Sequence, residues 1–186
     1  ANDTPDEYAA FLKAMALAMD DSATKPVKAL GSFARTPDFS IYGDWMMENG
    51  VMDYVDIYNY HTYVFPGSGT VPQLDLAANI KHVNYAEKYA KGKAIWQTET
   101  GVIINNGETP LNQAQQYQAA RYVAVSSLQS YVLGVDKTFQ FLMLSYGEGD
   151  ASFGFYSKEN TPMPMFTAYT TLIHMLGNAQ IKGIVN

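Results

Sequence analysis

The stretch Ala94-Ile95-Trp96-Gln97-Thr98-Glu99-Thr100-Gly101 decides how the rest of the chain is read. Apolar and β-favouring residues, with a glycine just beyond and helical patterns on both sides, make 94–98 a buried strand that delivers a carboxylate at its C-terminal end. Period-two alternation predicts Ile95, Gln97 and Glu99 on one face, with Trp96 and Thr98 on the other. A carboxylate ending a buried strand is partly desolvated, so it needs either a partner or a chemical task. A structural ion pair or a loop cap is the ordinary reading of such a residue; catalysis is the sharper one.

Upstream of this stretch, Leu74 to Ala90 reads as a helix stopped near Gly92. The loop Pro66-Gly67-Ser68-Gly69 precedes it, after Tyr54-Val55-Asp56-Ile57-Tyr58-Asn59-Tyr60, a strand running into His61-Thr62-Tyr63. Phe39 to Asn49 reads as a helix ending at Gly50, and Val27 to Ala34 as a short strand after the breaker Pro26. The chain opens with Thr4-Pro5-Asp6-Glu7, an N-cap, a proline at the first helical position and a capping-box glutamate. Behind that cap Tyr8, Phe11, Leu12, Met15, Ala16 and Met19 form a one-sided apolar stripe.

Downstream, Asn105-Asn106-Gly107 is a turn, and Thr109-Pro110 caps a long helix to about Leu133, with Tyr117, Ala120, Ala124, Leu128 and Tyr131 on one face. Lys137 to Ser145 is another strand, entering the acidic, glycine-rich loop Tyr146-Gly147-Glu148-Gly149-Asp150. A last helix, Met165 to Leu176, is closed by Gly177. The order is one helix followed by four strand–helix units, which means parallel strands covered by helices. The fold class is therefore α/β, either a small doubly wound sheet or part of a (β/α)8 barrel. A whole barrel takes about 250 residues, so these 186 residues would supply about half of one.

Composition excludes several classes of function. Twelve Lys and Arg against 18 Asp and Glu give a net charge of −6, with no basic run to meet nucleic acid or an anionic membrane surface. No apolar run approaches the roughly 18–20 residues that span a bilayer. There is no cysteine, hence no disulfide, thiolate chemistry or Cys-ligated metal. Neither a G-x-G-x-x-G nor a G-x-x-x-x-G-K-[ST] motif is present, His61, His82 and His174 lack metal-ligand spacing, and no G-x-S-x-G elbow occurs. No cofactor and no metal are expected. Aromatic residues are plentiful at 13%, including 14 Tyr, and could fill a core or line a cleft that stacks on flat apolar ligand faces.

Three sets of residues lie at the C-terminal ends of expected strands, the functional face of both parallel architectures. Glu99 is the first. His61 and Tyr63, two apart, project to one side and could hydrogen-bond a common neighbour. Glu148 and Asp150, flanked by glycines, could hold sugar hydroxyls or a cation, or form a plain solvated loop.

Taken together these residues resemble the C-terminal half of a retaining (β/α)8-barrel glycoside hydrolase, of the clan with two catalytic glutamates. Asp53-Tyr54-Val55-Asp56-Ile57-Tyr58 leading to His61-Thr62-Tyr63 is similar to the clan's sixth-strand pattern, and Trp96-Gln97-Thr98-Glu99-Thr100-Gly101 to its seventh-strand W-x-T-E-x-G signature. Phe153-Gly154-Phe155-Tyr156 and the run Pro162-Met163-Pro164-Met165-Phe166-Thr167-Ala168-Tyr169 resemble the segment entering the final helix, with Met163 where relatives carry lysine. The resemblance implies that residues 1–177 form barrel strands 5 to 8 with their helices, and that 178–186 is a tail or the start of a following domain. It makes Glu99 the nucleophile, oriented by His61 and Tyr63, with Asn59, Tyr146, Glu148, Asp150 and Phe153 as substrate-binding residues.

It also implies a carbohydrate substrate and a secreted or periplasmic setting. The acid/base glutamate belongs to an Asn-Glu motif ahead of the first helix and is not in this sequence. An N-terminal half-barrel is thus an expected partner, and the chain alone is expected to be inactive. Many relatives carry a tryptophan near the end of the eighth strand as a floor for the sugar; Ser145 and Tyr146 are the nearest residues to that place here. Three rivals remain at this level: a non-catalytic carbohydrate-binding relative, a small flavodoxin-like ligand-binding domain, and a scaffold in which Glu99 is paired with Lys or Arg.

Overall fold

A computed structural model describes residues 4–34, 41–64, 72–106, 109–149 and 151–180. Asp150, the loop 66–69 and the tail beyond 180 lie outside the described residues. Helix α1 (Pro5–Asp20) starts as its cap requires: the Glu7 amide donates to Thr4 Oγ1 at 3.2 Å, and the Thr4 amide to Glu7 Oε2 at 2.8 Å. Then come α2 (Ile41–Glu48), a 3-10 turn (Val51–Tyr54), β1 (Ile57–Val64), α3 (Pro72–Tyr89) and β2 (Ala94–Val102). Two-residue strands β3 (Asn105–Asn106) and β4 (Thr109–Pro110) lead to α4 (Gln113–Val132) and β5 (Lys137–Gln140). The hairpin β6 (Tyr146–Glu148) and β7 (Ala151–Phe153) and helix α5 (Pro164–Leu176) complete the order.

β1, β2 and β5 form a parallel sheet in that order. Residues 28–33 extend it beyond β1, through parallel bridges Ala29 to Ile57 and Phe33 to Tyr60. The strands thus follow the sequence from one edge to the other. A doubly wound sheet reverses its strand order part-way, so the flavodoxin-like alternative is excluded. A second, antiparallel sheet of order β4-β3-β7-β6 caps the C-terminal ends.

The sheet has a covered face and an open one. Tyr58, Tyr60, Thr62 and Val64 pair in register with Ile95, Gln97, Thr100 and Val102, and all eight are buried. Tyr58 and Tyr60 bury their rings under α3 and satisfy their hydroxyls on His82 and Asn79, at 2.9 and 3.1 Å. Gln97 is held on this face by Thr62, Asn79 and Ser130, at 2.6, 3.2 and 3.2 Å. The Gln97 amide thus has both its nitrogen and its oxygen hydrogen-bonded, as burial demands. Asn59, His61, Tyr63, Trp96 and Glu99 take the opposite face.

Several expectations are corrected here. β2 runs on to Val102, past the expected end at Thr98. α4 begins at Asn112, whose side chain accepts from the Gln115 amide at 3.0 Å, because Thr109-Pro110 is occupied in pairing with β3. Its buried stripe is Ala119, Ala120, Tyr122, Val123, Ser126, Ser127 and Ser130, while Tyr117 and Tyr131 face outward. Of the face expected from sequence only Ala120 belongs to that stripe, because alanine and serine at 119, 120, 126, 127 and 130, with Tyr122 and Val123, make the packed side. β5 stops at Gln140 instead of Ser145, and the chain turns into the β6–β7 hairpin.

Candidate active site

The side chains at the C-terminal ends of β1 and β2 converge because β2 carries a bulge. Tyr60 pairs with Gln97, but the next residue, His61, pairs with Glu99, leaving Thr98 as the extra residue. The alternation expected from sequence therefore breaks at Thr98. Gln97 stays on the helix-covered face, and both Thr98 and Glu99 turn to the open one. Without that extra residue Glu99 would point at α3 and α4, away from His61 and Tyr63.

Tyr63 Oη donates to Glu99 Oε2 at 2.5 Å, and His61 Nδ1 lies 3.4 Å from the same oxygen. Oε1 takes no hydrogen bond from any described residue, and the Glu99 side chain keeps 35% of its exposure. Among the described residues no lysine or arginine pairs with Glu99, contrary to the scaffold alternative. Burial, then the Glu99 hydrogen bond, then the charges of Glu99 and Glu148, hold the Tyr63 phenol well above its ordinary value. It therefore remains a donor. Burial lowers the His61 imidazole below its usual range, opposed by the Glu99 carboxylate.

The remaining expected site residues divide. Tyr146, 45% exposed, and Glu148, also exposed, stand on β6 beside this centre, and Glu148 is close enough for its charge to act on Tyr63. Phe153, expected to touch substrate, is buried, and its ring meets Tyr63 edge-on at 5.2 Å, so it braces that tyrosine. Asn59, expected in the same role, is 8% exposed; its amide donates to the Leu30 carbonyl at 3.1 Å and accepts from Thr98 at 2.6 Å.

Phe141, missed in the sequence, follows the last residue of β5. Its ring is edge-on to Tyr63, Tyr146 and Phe153 at 6.0, 5.7 and 5.4 Å. It, and not Ser145 or Tyr146, is the aromatic residue directly at the end of the last parallel strand. The misjudged strand end hid it. Trp96 lies on the open face, with Lys137 Nζ 4.3 Å from its ring centroid. A separate cavity of about 540 Å³ lies between Leu111, Gln116, Lys158 and Thr161, and none of Glu99, His61 or Tyr63 lines it. No group of three His, Asp or Glu among the described residues could hold a metal ion, and no helix there is long and apolar enough to cross a membrane.

No family model matches the sequence, and no curated protein matches it. Solved structures do match in three dimensions. A GH128 (subgroup VI) exo-beta-1,3-glucanase from Aureobasidium namibiae superposes with a TM-score of 0.60 at 14% identity, over 88% of this chain and 60% of that one. A GH128 (subgroup I) endo-beta-1,3-glucanase from Amycolatopsis mediterranei gives 0.60 at 19% identity, over 92% and 66%. The endo-beta-1,4-mannanase from Thermotoga petrophila gives 0.56 at 16% identity, over 97% and 42%. The fold is part of a (β/α)8 barrel. This partial barrel spans about 60% of the first of those chains, and its open sheet face is the one that lines the interior of a closed barrel.

Proposed function

We propose that this chain supplies the nucleophile half of the active site of a retaining glycoside hydrolase acting on β-linked poly- or oligosaccharide. The observation that carries the reading is the hydrogen bond from Tyr63 to Glu99 Oε2 at 2.5 Å, made at the C-terminal ends of neighbouring parallel strands with no described residue hydrogen-bonded to Oε1. Such an oxygen is oriented and free to react. In the retaining mechanism Glu99 Oε1 would attack the anomeric carbon as the bond to the leaving oxygen breaks, and a second glutamate about 5–5.5 Å away would protonate that oxygen. The same group then removes a proton from water, which displaces Glu99 and completes hydrolysis. That proton donor has to come from outside this sequence, with the strands that close the barrel. Phe141 and Tyr146 offer ring surface for a pyranose beside the carboxylate, and Glu148 is suited to a sugar hydroxyl.

The three solved structures named above are two beta-1,3-glucanases and a beta-1,4-mannanase, which supports a β-linked glycan as the substrate class. The test is labelling of the full-length protein with 2-deoxy-2-fluoro glycosides bearing dinitrophenolate, a leaving group that needs no protonation, followed by peptide mapping. Labelling at Glu99 is expected, together with rescue of Glu99→Ala by azide. Label on another carboxylate overturns the assignment. Sugar binding without labelling or turnover replaces it with a non-catalytic binding protein.

A further inference from the structure

The bulge that turns Glu99 toward His61 also inserts a hydroxyl into a one-way chain of hydrogen bonds. The chain starts at the Leu30 carbonyl, which can only accept, so the Asn59 amide nitrogen must face it, at 3.1 Å. The Asn59 carbonyl oxygen therefore faces Thr98 and, being an acceptor, fixes the Thr98 hydroxyl proton on itself, at 2.6 Å. With that proton committed, Thr98 Oγ1 presents only lone pairs to His61 Nε2, 3.0 Å away. Nε2 must then carry the ring proton. The other ring nitrogen, Nδ1, faces Glu99 Oε2 and Ser32 Oγ, each at 3.4 Å.

We propose that Thr98 is a positioning residue: anchored through Asn59 to the Leu30 carbonyl, it holds neutral His61 as the Nε2–H tautomer and so keeps a proton off the nitrogen that faces Glu99. The consequence lies at the nucleophile. A neutral His61 in the opposite tautomer would donate from Nδ1 to Glu99 Oε2, adding a second hydrogen bond that draws charge from the attacking carboxylate. With Nδ1 bare, Ser32 is its donor and Tyr63 alone binds Oε2. The titratable group facing the ring from β2 is Glu99, and the extended segment 28–33 contributes Ser32. The catalytic consequence rests on Glu99 being the nucleophile; the tautomer does not.

Two measurements separate these claims. Nitrogen-15 NMR of the imidazoles, with His61 assigned by His61→Gln, is expected to put the proton on Nε2 in the wild type and in Thr98→Ser, and to give mixed tautomers in Thr98→Val. Steady-state kinetics of the full-length protein on a chromogenic β-glycoside should then show kcat falling about three- to tenfold in Thr98→Val, the scale of one neutral hydrogen bond. KM should be little changed and the Ser variant near wild type. An Nδ1–H tautomer in the wild type, or a tautomer unmoved in folded Thr98→Val, overturns the proposal even if Glu99 carries the fluoro-sugar label. Label elsewhere, with the tautomer as stated, overturns the catalytic consequence and the functional reading together while the hydrogen-bond chain stands.

Discussion

Tyr63 joins the two halves of its own environment: its hydroxyl grips Glu99, and its ring rests edge-on against Phe141 and Phe153. Tyr63→Phe removes only the hydroxyl, so the packing survives. A hydrogen bond to a charged group is worth about 1.5–3 kcal/mol, so kcat of the full-length protein should fall roughly 10- to 100-fold in steady-state assays, with KM moved far less. An unchanged kcat would remove Tyr63 from the machinery. His61 gives a separate prediction in stability. Its folded value lies below the ordinary value because burial disfavours the cation, so between the two values the unfolded chain binds more protons and stability rises with pH. The contribution is complete above about pH 6.5 and is lost as pH falls through the folded value. Urea unfolding midpoints across that window should converge in His61→Gln; a wild-type slope that persists in the variant assigns it to other groups.

Between β2 and β5 the chains approach too closely for any side chain. A Cβ on Gly101 would stand 2.6 Å from the Phe141 carbonyl oxygen and 3.6 Å from Tyr63 Cε1. Gly101→Ala must push the end of β5 outward, taking Phe141 with it, at about 1–3 kcal/mol of stability. Gly147→Ala is the control, since its nearest contact is an ordinary 3.8 Å. Thermal midpoints that fall for Gly101→Ala and hold for Gly147→Ala are expected; equal midpoints contradict the close approach. Elements of this kind explain what could be read beforehand. The α1 cap, the parallel alternation and the pairing of His61 and Tyr63 were legible because they depend on local spacing and composition. The bulge at Thr98 was not, because nothing in Trp96-Gln97-Thr98-Glu99 distinguishes a regular strand from one with an extra residue. The difference lies in register against β1, a tertiary choice that lets Gln97 satisfy the buried knot beneath α3 and α4. The inner face of α4 was hidden for a related reason, since five of its seven buried residues are alanine or serine and carry little hydrophobic signal.

At the scale of the whole molecule, the parallel sheet ends in two edges, the segment 28–33 and β5, with no described strand hydrogen-bonded beyond either. Apolar side chains lie uncovered towards both. Phe11 on α1 is 63% exposed and Val27, just before the first extended segment, 70%. Beyond β5 the same holds for Met143, Leu144, Ile173 and Met175. In a closed barrel each edge would be paired and each flanking helix covered by its neighbour. A chain that presents both at once should associate, because an open strand edge is a template for pairing with another chain and exposed apolar side chains favour burial against one. The 186-residue chain, studied alone by sedimentation velocity over a concentration series, is expected to move from monomer to larger species as concentration rises. Ile173→Lys with Met175→Lys should shift that curve to higher concentration, since the change places charge on exposed positions and leaves the core untouched. Co-expression with the strands that complete the barrel should abolish the association and yield a single species of fixed composition. A chain monomeric at every concentration would mean that its edges are covered by residues other than those described, and would undercut the need for a second half to close the site around Glu99.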